Sequence, residues 1–255
     1  MMPAAAPGKV GFVIAGTQRG GTTTLYEYLR RHPEICMPVE KELHFFDDDE
    51  LWRSPPPPYE RYHAAFRVEP SHRLLGEATP VYMYWEPALP RIREYNPTMK
   101  LIVLLRNPIT RAYSHWNHEW QSGRETLSFH DALLAERMRS EQVKPAQLRY
   151  SSYVQRGMYT PQLQRIWRSF PASQTLVLRT DDLRTGLADV FARVADFLGV
   201  ARFAPVNAIT ANAHAYEAPM AAEDRRYLAG VFEAEIGQLE RLLGWDCRGW
   251  LSDAA

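Results

Sequence analysis

A loop rich in glycine and threonine near the start of the chain has the residue types of a phosphate-binding site. It lies in the segment GFVIAGTQRGGTTTLYEYL, residues 11–29. The apolar run at residues 10–15 predicts a buried strand, and the spacing of Leu25, Tyr28 and Leu29 predicts a helix over residues 22–31. Glycines let backbone N–H groups approach an anion, and a helix N-terminus adds partial positive charge. We therefore expect a phosphate to be bound by Gly20, Gly21, Thr22, Thr23 and Thr24.

The loop departs from the ATP-binding pattern G-x-x-x-x-G-K-[ST]. Gly16 and Gly21 match its glycines, but Thr22 stands where the lysine belongs, and the loop's one strong cation is Arg19. A second predicted strand, residues 100–105, ends in Arg-Asn-Pro, without an aspartate to hold Mg²⁺. A metal-bound triphosphate is therefore disfavoured. A kinase of this loop class and a catalytically inactive nucleotide-binding protein remain as alternatives.

Four segments, in this order, resemble the sulfotransferases that use 3′-phosphoadenosine 5′-phosphosulfate (PAPS), and most closely the branch containing the heparan sulfate sulfotransferases. They are the loop, residues 41–47 (KELHFFD), residues 101–114 (LIVLLRNPITRAYS), and residues 156–163 with the later stretches 175–183 and 197–199. The resemblance implies an enzyme of this family, and we expect a soluble member of the bacterial type, unlike the membrane-anchored animal members. Such an enzyme moves a sulfuryl group from PAPS to a hydroxyl or amine and releases 3′-phosphoadenosine 5′-phosphate (PAP).

The resemblance also implies roles for single residues. Glu42 is implied as the general base that takes the acceptor proton. Arg19 stands where the branch usually has a lysine beside the leaving phosphate. His44 orients Glu42, contacts the acceptor or is a structural histidine, and the sequence leaves these three readings open. The 3′-phosphate and the rest of the donor are implied to bind Arg106, Ser114, Arg156 and Tyr159, and the acceptor is implied to bind Lys41, His44, Asp47 and Tyr82.

The chain departs from the branch at two places. The branch has a lysine before the Thr-Pro of its Glu-Lys-Thr-Pro segment, whereas this chain has Ala78 there. Lys41 could replace that cation, but neighbouring side chains of an extended segment point to opposite faces, so Lys41 and Glu42 are expected to diverge. The late Lys-Gly-Arg lid motif is also absent from the sequence, and residues 211–219 occupy its region.

Composition limits the acceptor and the location. Lysine and arginine number 30, as do aspartate and glutamate, so the formal net charge is zero and no global basic field favours a nucleic acid or another polyanion. We expect a small-molecule or carbohydrate acceptor and no metal. Cys36 and Cys247 indicate a reducing compartment, and no apolar run approaches 18 residues. The chain is therefore expected to be cytoplasmic, without a membrane partner.

Alternation of apolar strands with helices predicts an α/β fold in one domain over residues 1–255. The expected architecture is a central parallel sheet of the phosphate-loop type, covered by helices on both faces. Its core is expected at about residues 9–200, followed by a C-terminal helical segment at about residues 219–244.

Overall fold

The computed structural model describes residues 8–54, 56–142, 150–204 and 218–252. Five parallel strands form one sheet in the order β2-β3-β1-β4-β5. They are β1 (Val10–Gly16), β2 (Ile35–Cys36), β3 (Leu74–Ala78), β4 (Lys100–Leu105) and β5 (Thr175–Arg179). This arrangement confirms the predicted α/β class with its parallel sheet flanked by helices.

The helices of the described residues lie between and after the strands. In chain order they are α1 (Thr22–Leu29), α2 (Tyr59–His63), α3 (Ala88–Tyr95), α4 (Pro108–Gln121), α5 (Phe129–Gln142), α6 (Tyr159–Ser169), α7 (Asp182–Thr185), α8 (Leu187–Leu198) and α9 (Ala222–Leu243). Short 3₁₀ turns occur at Gln155–Gly157, Ala172–Gln174 and Arg248–Trp250.

The inner strands are apolar on both faces because a parallel sheet is covered on both sides. Phe12 and Ile14 of β1, with Ile102 and Leu104 of β4, pack in a buried cluster with side chains of α1 and α8. Their neighbours along the strands point to the other face and are also buried: Val13, Ala15, Leu101, Val103 and Leu105. The long apolar runs that predicted β1 and β4 follow from this double coverage.

Contacts group the chain into two compact units. The first comprises Met1–Leu105 and Arg165–Ala213 and contains all five strands. The second comprises Arg106–Gln164 and His214–Ala255, and in it α4 packs against α9 and against the turn Gln155–Gly157. The expected single domain over residues 1–255 stays a prediction.

The sequence located most elements and missed some of their limits. The predicted strands at residues 10–15, 100–105, 175–178 and 74–77 all form, ending within one residue of expectation. The two-residue strand β2 was not predicted. The last helix, Ala222–Leu243, lies within the C-terminal helical segment expected at about residues 219–244. Residues 211–219 occupy the sequence position of the family's lid motif, and most of them, residues 211–217, lie outside the described residues.

Candidate active site

The loop between β1 and α1 is held by its backbone. The Thr17 N–H donates to the Leu104 carbonyl at 3.0 Å, and the Gly20 N–H donates to the Thr17 carbonyl at 2.9 Å. A Cβ on Gly20 would lie 2.7 Å from the Leu104 oxygen. Gly21, with φ of 88°, forms the N-cap of α1 in the left-handed region. These contacts explain why the loop needs glycine at both positions.

The first turn of α1 follows directly with three threonines. Thr22 is buried, while Thr23 and Thr24 are partly exposed. The first N–H groups of a helix have no acceptor within the helix, and the helix dipole makes this end partially positive. The predicted phosphate-binding residues therefore offer the hydrogen-bond donors and the partial positive charge that bind an anion. Arg19, just before them, is also partly exposed.

The segment after α1 places an imidazole between two carboxylates. The Nδ1 atom of His44 lies 3.0 Å from Oδ2 and 3.2 Å from Oδ1 of Asp47, and its Nε2 atom lies 3.5 Å from Oε2 of Glu42. The Asp47 side chain is fully buried, whereas those of Glu42 and His44 are 24% and 47% exposed. With Nδ1 directed at Asp47, Nε2 faces Glu42. We call these three residues the Glu42–His44–Asp47 array.

Two predicted catalytic residues have unusual backbones. Among the described residues other than glycine, Arg19 and His44 are those with positive φ, at 64° and 52°. Side-chain-bearing residues adopt this left-handed region at a cost, and surrounding contacts must hold them there. Such positions occur often at functional sites, so both observations agree with the roles that the resemblance implies.

Lys41 lies beside the array, and one expectation about it was wrong. Its Nζ atom is 3.0 Å from Oε1 of Glu42. The side chains of Lys41 and Glu42 therefore meet, although an extended segment would direct them to opposite faces. The difference arises because the segment turns here and is not a strand. A cation thus stands next to the predicted base, where Ala78 supplies none.

A buried carboxyl group, which the sequence analysis did not single out as functional, lies behind this segment. Glu77 of β3 is fully buried and accepts hydrogen bonds from Tyr62 Oη at 3.0 Å, Tyr82 Oη at 2.8 Å and Thr79 Oγ1 at 2.7 Å. Burial raises the pKa of Glu77 to about 7, against the lowering effect of these hydroxyl donors, and the nearby Asp47 charge raises it further. An acid within an otherwise apolar inner strand was the signal that could have identified it.

The side chains of Asp47 and Tyr82 are buried and are not exposed to a ligand in this structure. Both were predicted to contact the acceptor, and both are fully buried. The carboxylate of Asp47 binds His44, and the hydroxyl of Tyr82 binds Glu77. Their polar atoms therefore support other residues of the site.

The residues predicted for the 3′-phosphate lie in the second unit. Arg106 directly follows β4, and its Nε donates to Thr110 Oγ1 at 3.1 Å on α4. The hydroxyl of Tyr159 donates to the Arg106 carbonyl at 2.8 Å, and burial raises the pKa of Tyr159 to about 12. The structure thus brings Arg106 and Tyr159 together. Ser114 and Arg156 are both 2% exposed, and Arg156 Nε donates to Ser152 Oγ at 3.1 Å.

A pocket of about 390 Å³ opens beside the array within the first unit. Glu42 and His44 form part of its wall, together with Phe45 and Tyr62, whose buried rings stack on each other. Its remaining lining is Glu40, Leu43, Asp48, Leu51, Arg61, Ala64 and Ala65. Three carboxylates thus face one guanidinium, so the wall is acidic and partly apolar.

The described residues show neither a cluster of metal ligands nor a membrane-spanning helix. No group of three or more histidine, cysteine, aspartate or glutamate side chains there has the arrangement of a metal site. None of the described helices is both long and apolar enough to cross a membrane.

The parallel sheet, with its glycine-rich anion loop between β1 and α1, defines an α/β protein of the phosphate-loop type. Within this class the chain belongs to the sulfotransferase domain family, whose model matches residues 11–214.

The chain is similar to individual members of that family. It is 34% identical over 208 residues to heparan sulfate glucosamine 3-O-sulfotransferase 6 of Homo sapiens, covering 78% of this chain and 56% of that protein. It is also 34% identical over 194 residues to heparan sulfate glucosamine 3-O-sulfotransferase 3B1 of Mus musculus, covering 74% and 46%. The chain therefore spans about half the length of the curated relatives it matches.

One solved structure matches this chain over nearly the full length of both proteins. The sulfotransferase from Alicyclobacillus acidocaldarius superposes with a TM-score of 0.81 at 27% identity, covering 96% of this chain and 100% of that one. The match confirms the resemblance on which the sequence analysis relied.

Proposed function

We propose that this protein is a PAPS-dependent sulfotransferase that acts on a hydroxyl or amine group. The observation that carries the proposal is the Glu42–His44–Asp47 array on the segment that follows the anion loop. The acceptor atom attacks sulfur, the bond between sulfur and the phosphate oxygen breaks, and the acceptor proton moves to Glu42. PAP leaves with the electron pair of the broken bond.

His44 and Asp47 serve the proton transfer in this proposal. The Asp47 carboxylate accepts from Nδ1–H and fixes the orientation of the ring, as the acidic member of a catalytic triad does. Nε2 then faces Glu42 and is able to receive its proton. Of the three readings that the sequence left open for His44, this geometry supports the orienting one.

We assign a set of residues to each phosphate-bearing end of the donor PAPS. The loop residues Gly20 to Thr24 take the 5′-phosphosulfate, and Arg19 neutralises charge that grows on the leaving phosphate. Arg106 and Ser114 take the 3′-phosphate, with Arg156 and Tyr159 supporting them. We propose that no metal takes part, because arginine, lysine and backbone N–H groups supply the positive charge that Mg²⁺ supplies in phosphoryl transfer.

The acceptor is proposed to be a neutral or cationic small molecule or carbohydrate that enters the pocket beside Glu42. The curated relatives are named for heparan sulfate glucosamine. The pocket here has Glu40, Glu42 and Asp48 against Arg61, which disfavours a highly sulfated chain. Leu43, Leu51, Ala64 and Ala65 add apolar surface, at least partly exposed, that a sugar or aromatic ring can contact. A cytoplasmic location likewise stays a proposal.

Nucleotide binding and transfer test the proposal together. In calorimetry without metal, we expect PAP to bind, and Arg106→Ala to weaken PAP by about 1.5–3 kcal/mol while leaving adenosine 5′-phosphate nearly unaffected. With ³⁵S-labelled PAPS, we expect transfer to hydroxylated or amine compounds from a screen. Preference for ATP with Mg²⁺ would support the kinase alternative. Tight PAP binding with no transfer to any compound would support an inactive nucleotide-binding protein.

A further inference from the structure

Glu77 carries a buried charge that no step of the proposed reaction uses. It lies on β3, an inner strand of the sheet, and its donors come from two places: Tyr62 of α2, and Thr79 and Tyr82 just after β3. Burying a carboxylate is costly unless hydrogen bonds replace its water. Three converging hydroxyls meet that requirement in part, because each can donate a hydrogen bond to the carboxylate.

Two of these hydroxyls also accept hydrogen bonds from the backbone of the segment that carries the array, residues 41–47, which we call the catalytic segment. Tyr82 Oη accepts from the Phe45 N–H at 3.2 Å and from the Phe46 N–H at 3.4 Å. Thr79 Oγ1 accepts from the His44 N–H at 3.5 Å. A hydroxyl has one hydrogen to donate and two lone pairs to accept with. Because Glu77 takes the hydrogens, the lone pairs are left for the three N–H groups.

These three N–H groups belong to the stretch between Glu42 and Asp47, the two ends of the array. His44, in the middle, has the left-handed backbone that needs support from its surroundings. The contacts therefore fix the part of the backbone from which the imidazole projects.

We propose that ionised Glu77 is a positioning residue: through the hydroxyls of Thr79 and Tyr82 it holds the backbone of residues 44–46 and so aligns the array. The alignment has consequences for catalysis only under the proposed function, in which Glu42 is the base. Glu77 itself touches neither donor nor acceptor in this scheme.

Protonation of Glu77 reverses the direction of one of these hydrogen bonds. A carboxylic acid donates a hydrogen of its own, so one of the three hydroxyls accepts it and turns its own hydrogen away. When that hydroxyl is Thr79 or Tyr82, its hydrogen turns towards the N–H donors of the segment. The ionisable and charged groups that face Glu77 are Tyr62 of α2, Tyr82 after β3, Tyr95 of α3 and Asp47 of the segment. Burial sets the transition at a pH of about 7.

The contribution of Glu77 to stability and its proposed effect on the alignment of the array depend on pH in opposite directions. Because the folded-state pKa of Glu77 is raised above its ordinary value, the folded protein binds the proton more tightly than the unfolded chain. Its contribution to stability is therefore fully present below its ordinary pKa of 4.5 and is lost as the pH rises to about 7. Alignment of the array improves over the range in which this contribution to stability falls.

Hydrogen exchange of the amides of residues 44–46 tests the proposal without any acceptor. After correction for intrinsic rates, we expect protection in the wild type to be about tenfold higher at pH 8 than at pH 5.5, with a midpoint near that of Glu77. Glu77→Gln, which mimics the neutral acid, should show the low protection at both values. Unchanged protection and an unchanged midpoint in Glu77→Gln would overturn the proposal.

Two further variants serve as a second test, in case Glu77→Gln does not fold, and as a matched control. Tyr62→Phe removes a donor to Glu77 but no bond to the segment, so the midpoint should move to higher pH, and an unmoved midpoint counts against Glu77 even if Glu77→Gln fails to fold. Tyr95→Phe is the matched control, because the Tyr95 hydroxyl binds the Val10 N–H and His63. It should lower protection at Val10 and leave residues 44–46 as they are.

Transfer from labelled PAPS then separates the two proposals. If Glu77→Gln loses protection at residues 44–46 and no variant or wild type transfers sulfate, the positioning holds and the sulfotransferase proposal fails. If the wild type transfers sulfate and Glu77→Gln has the same kcat and pH profile, the positioning proposal fails alone. We expect at least a tenfold lower kcat at pH 8, with the difference narrowing at pH 6.

Discussion

The anion loop and the catalytic segment lie in the same unit, and different kinds of contact hold them in place. The loop is fixed by backbone hydrogen bonds from Thr17 and Gly20 and by the absence of a side chain at Gly20. The segment is fixed by hydroxyl side chains of Thr79 and Tyr82, which in turn bind an ionisable group. Backbone contacts do not titrate near neutral pH, so donor binding and chemistry should respond differently to mutation and to pH.

The largest effect should come from the segment. Glu42→Gln keeps the size of the side chain and an acceptor oxygen but removes the base. We expect sulfuryl transfer to fall by roughly 10²- to 10⁴-fold, while PAP affinity stays close to that of the wild type. Rates with labelled donor and calorimetry with PAP measure the two effects separately.

Glu50→Gln is the control for that change, because Glu50 is an exposed acid of the same region that pairs with Arg53. It should transfer at the wild-type rate. Transfer at full rate by Glu42→Gln together with an inactive His44→Ala would assign the base to His44.

A smaller effect is expected from Arg19, the cation of the anion loop. Arg19→Ala removes the charge that meets the departing phosphate, so kcat should fall by about 10²-fold and PAP affinity by much less. Arg19→Lys keeps the charge and should retain measurable activity. If Arg19→Ala raises only the KM for the donor, Arg19 belongs entirely to donor binding and the contrast between loop and segment becomes sharper.

The smallest effect should be on the loop backbone itself. A Cβ in Gly20→Ala meets the Leu104 oxygen at 2.7 Å and the Thr17 side chain at 2.8 Å, so the loop must shift. We expect a loss of about 1–3 kcal/mol in the free energy of unfolding. PAP affinity should fall about tenfold as well. Urea denaturation and calorimetry measure the two quantities.

Gly230→Ala provides the control for Gly20→Ala. Gly230 lies on α9, and a Cβ there meets nothing within 4 Å. This change should stabilise the protein by about 1 kcal/mol, because alanine has the higher helix propensity, and should leave PAP affinity unchanged. Equal losses of stability in the two variants would show that the loss in Gly20→Ala does not come from the loop contact.

The parts of the fold that the sequence could predict are those that leave a local pattern of residues along the chain. Buried runs of apolar residues indicated β1 and β4, and the glycines indicated the turn between β1 and α1. Glu42, His44 and Asp47 came from the resemblance, since their spacing alone does not distinguish a catalytic acid from a surface charge.

The network around Glu77 was beyond such patterns. Its donors lie 15, 2 and 5 residues away along the chain, on elements whose approach depends on tertiary packing. The meeting of Lys41 with Glu42 was missed for a related reason, because the alternation rule holds for strands and this segment turns. Strand β2 is two residues long, which is too short for any periodicity to show.

Under the proposed function, Tyr62 would link the choice of acceptor to the geometry of the reaction. Its ring lines the pocket, while its hydroxyl binds Glu77 behind the segment. A substitution at this position that reshapes the pocket for a new acceptor also disturbs the alignment of the array. Changes of acceptor during evolution, or in directed redesign, should therefore accumulate at wall positions outside the hydroxyl network, such as Leu43, Leu51 and Ala64, and spare Tyr62.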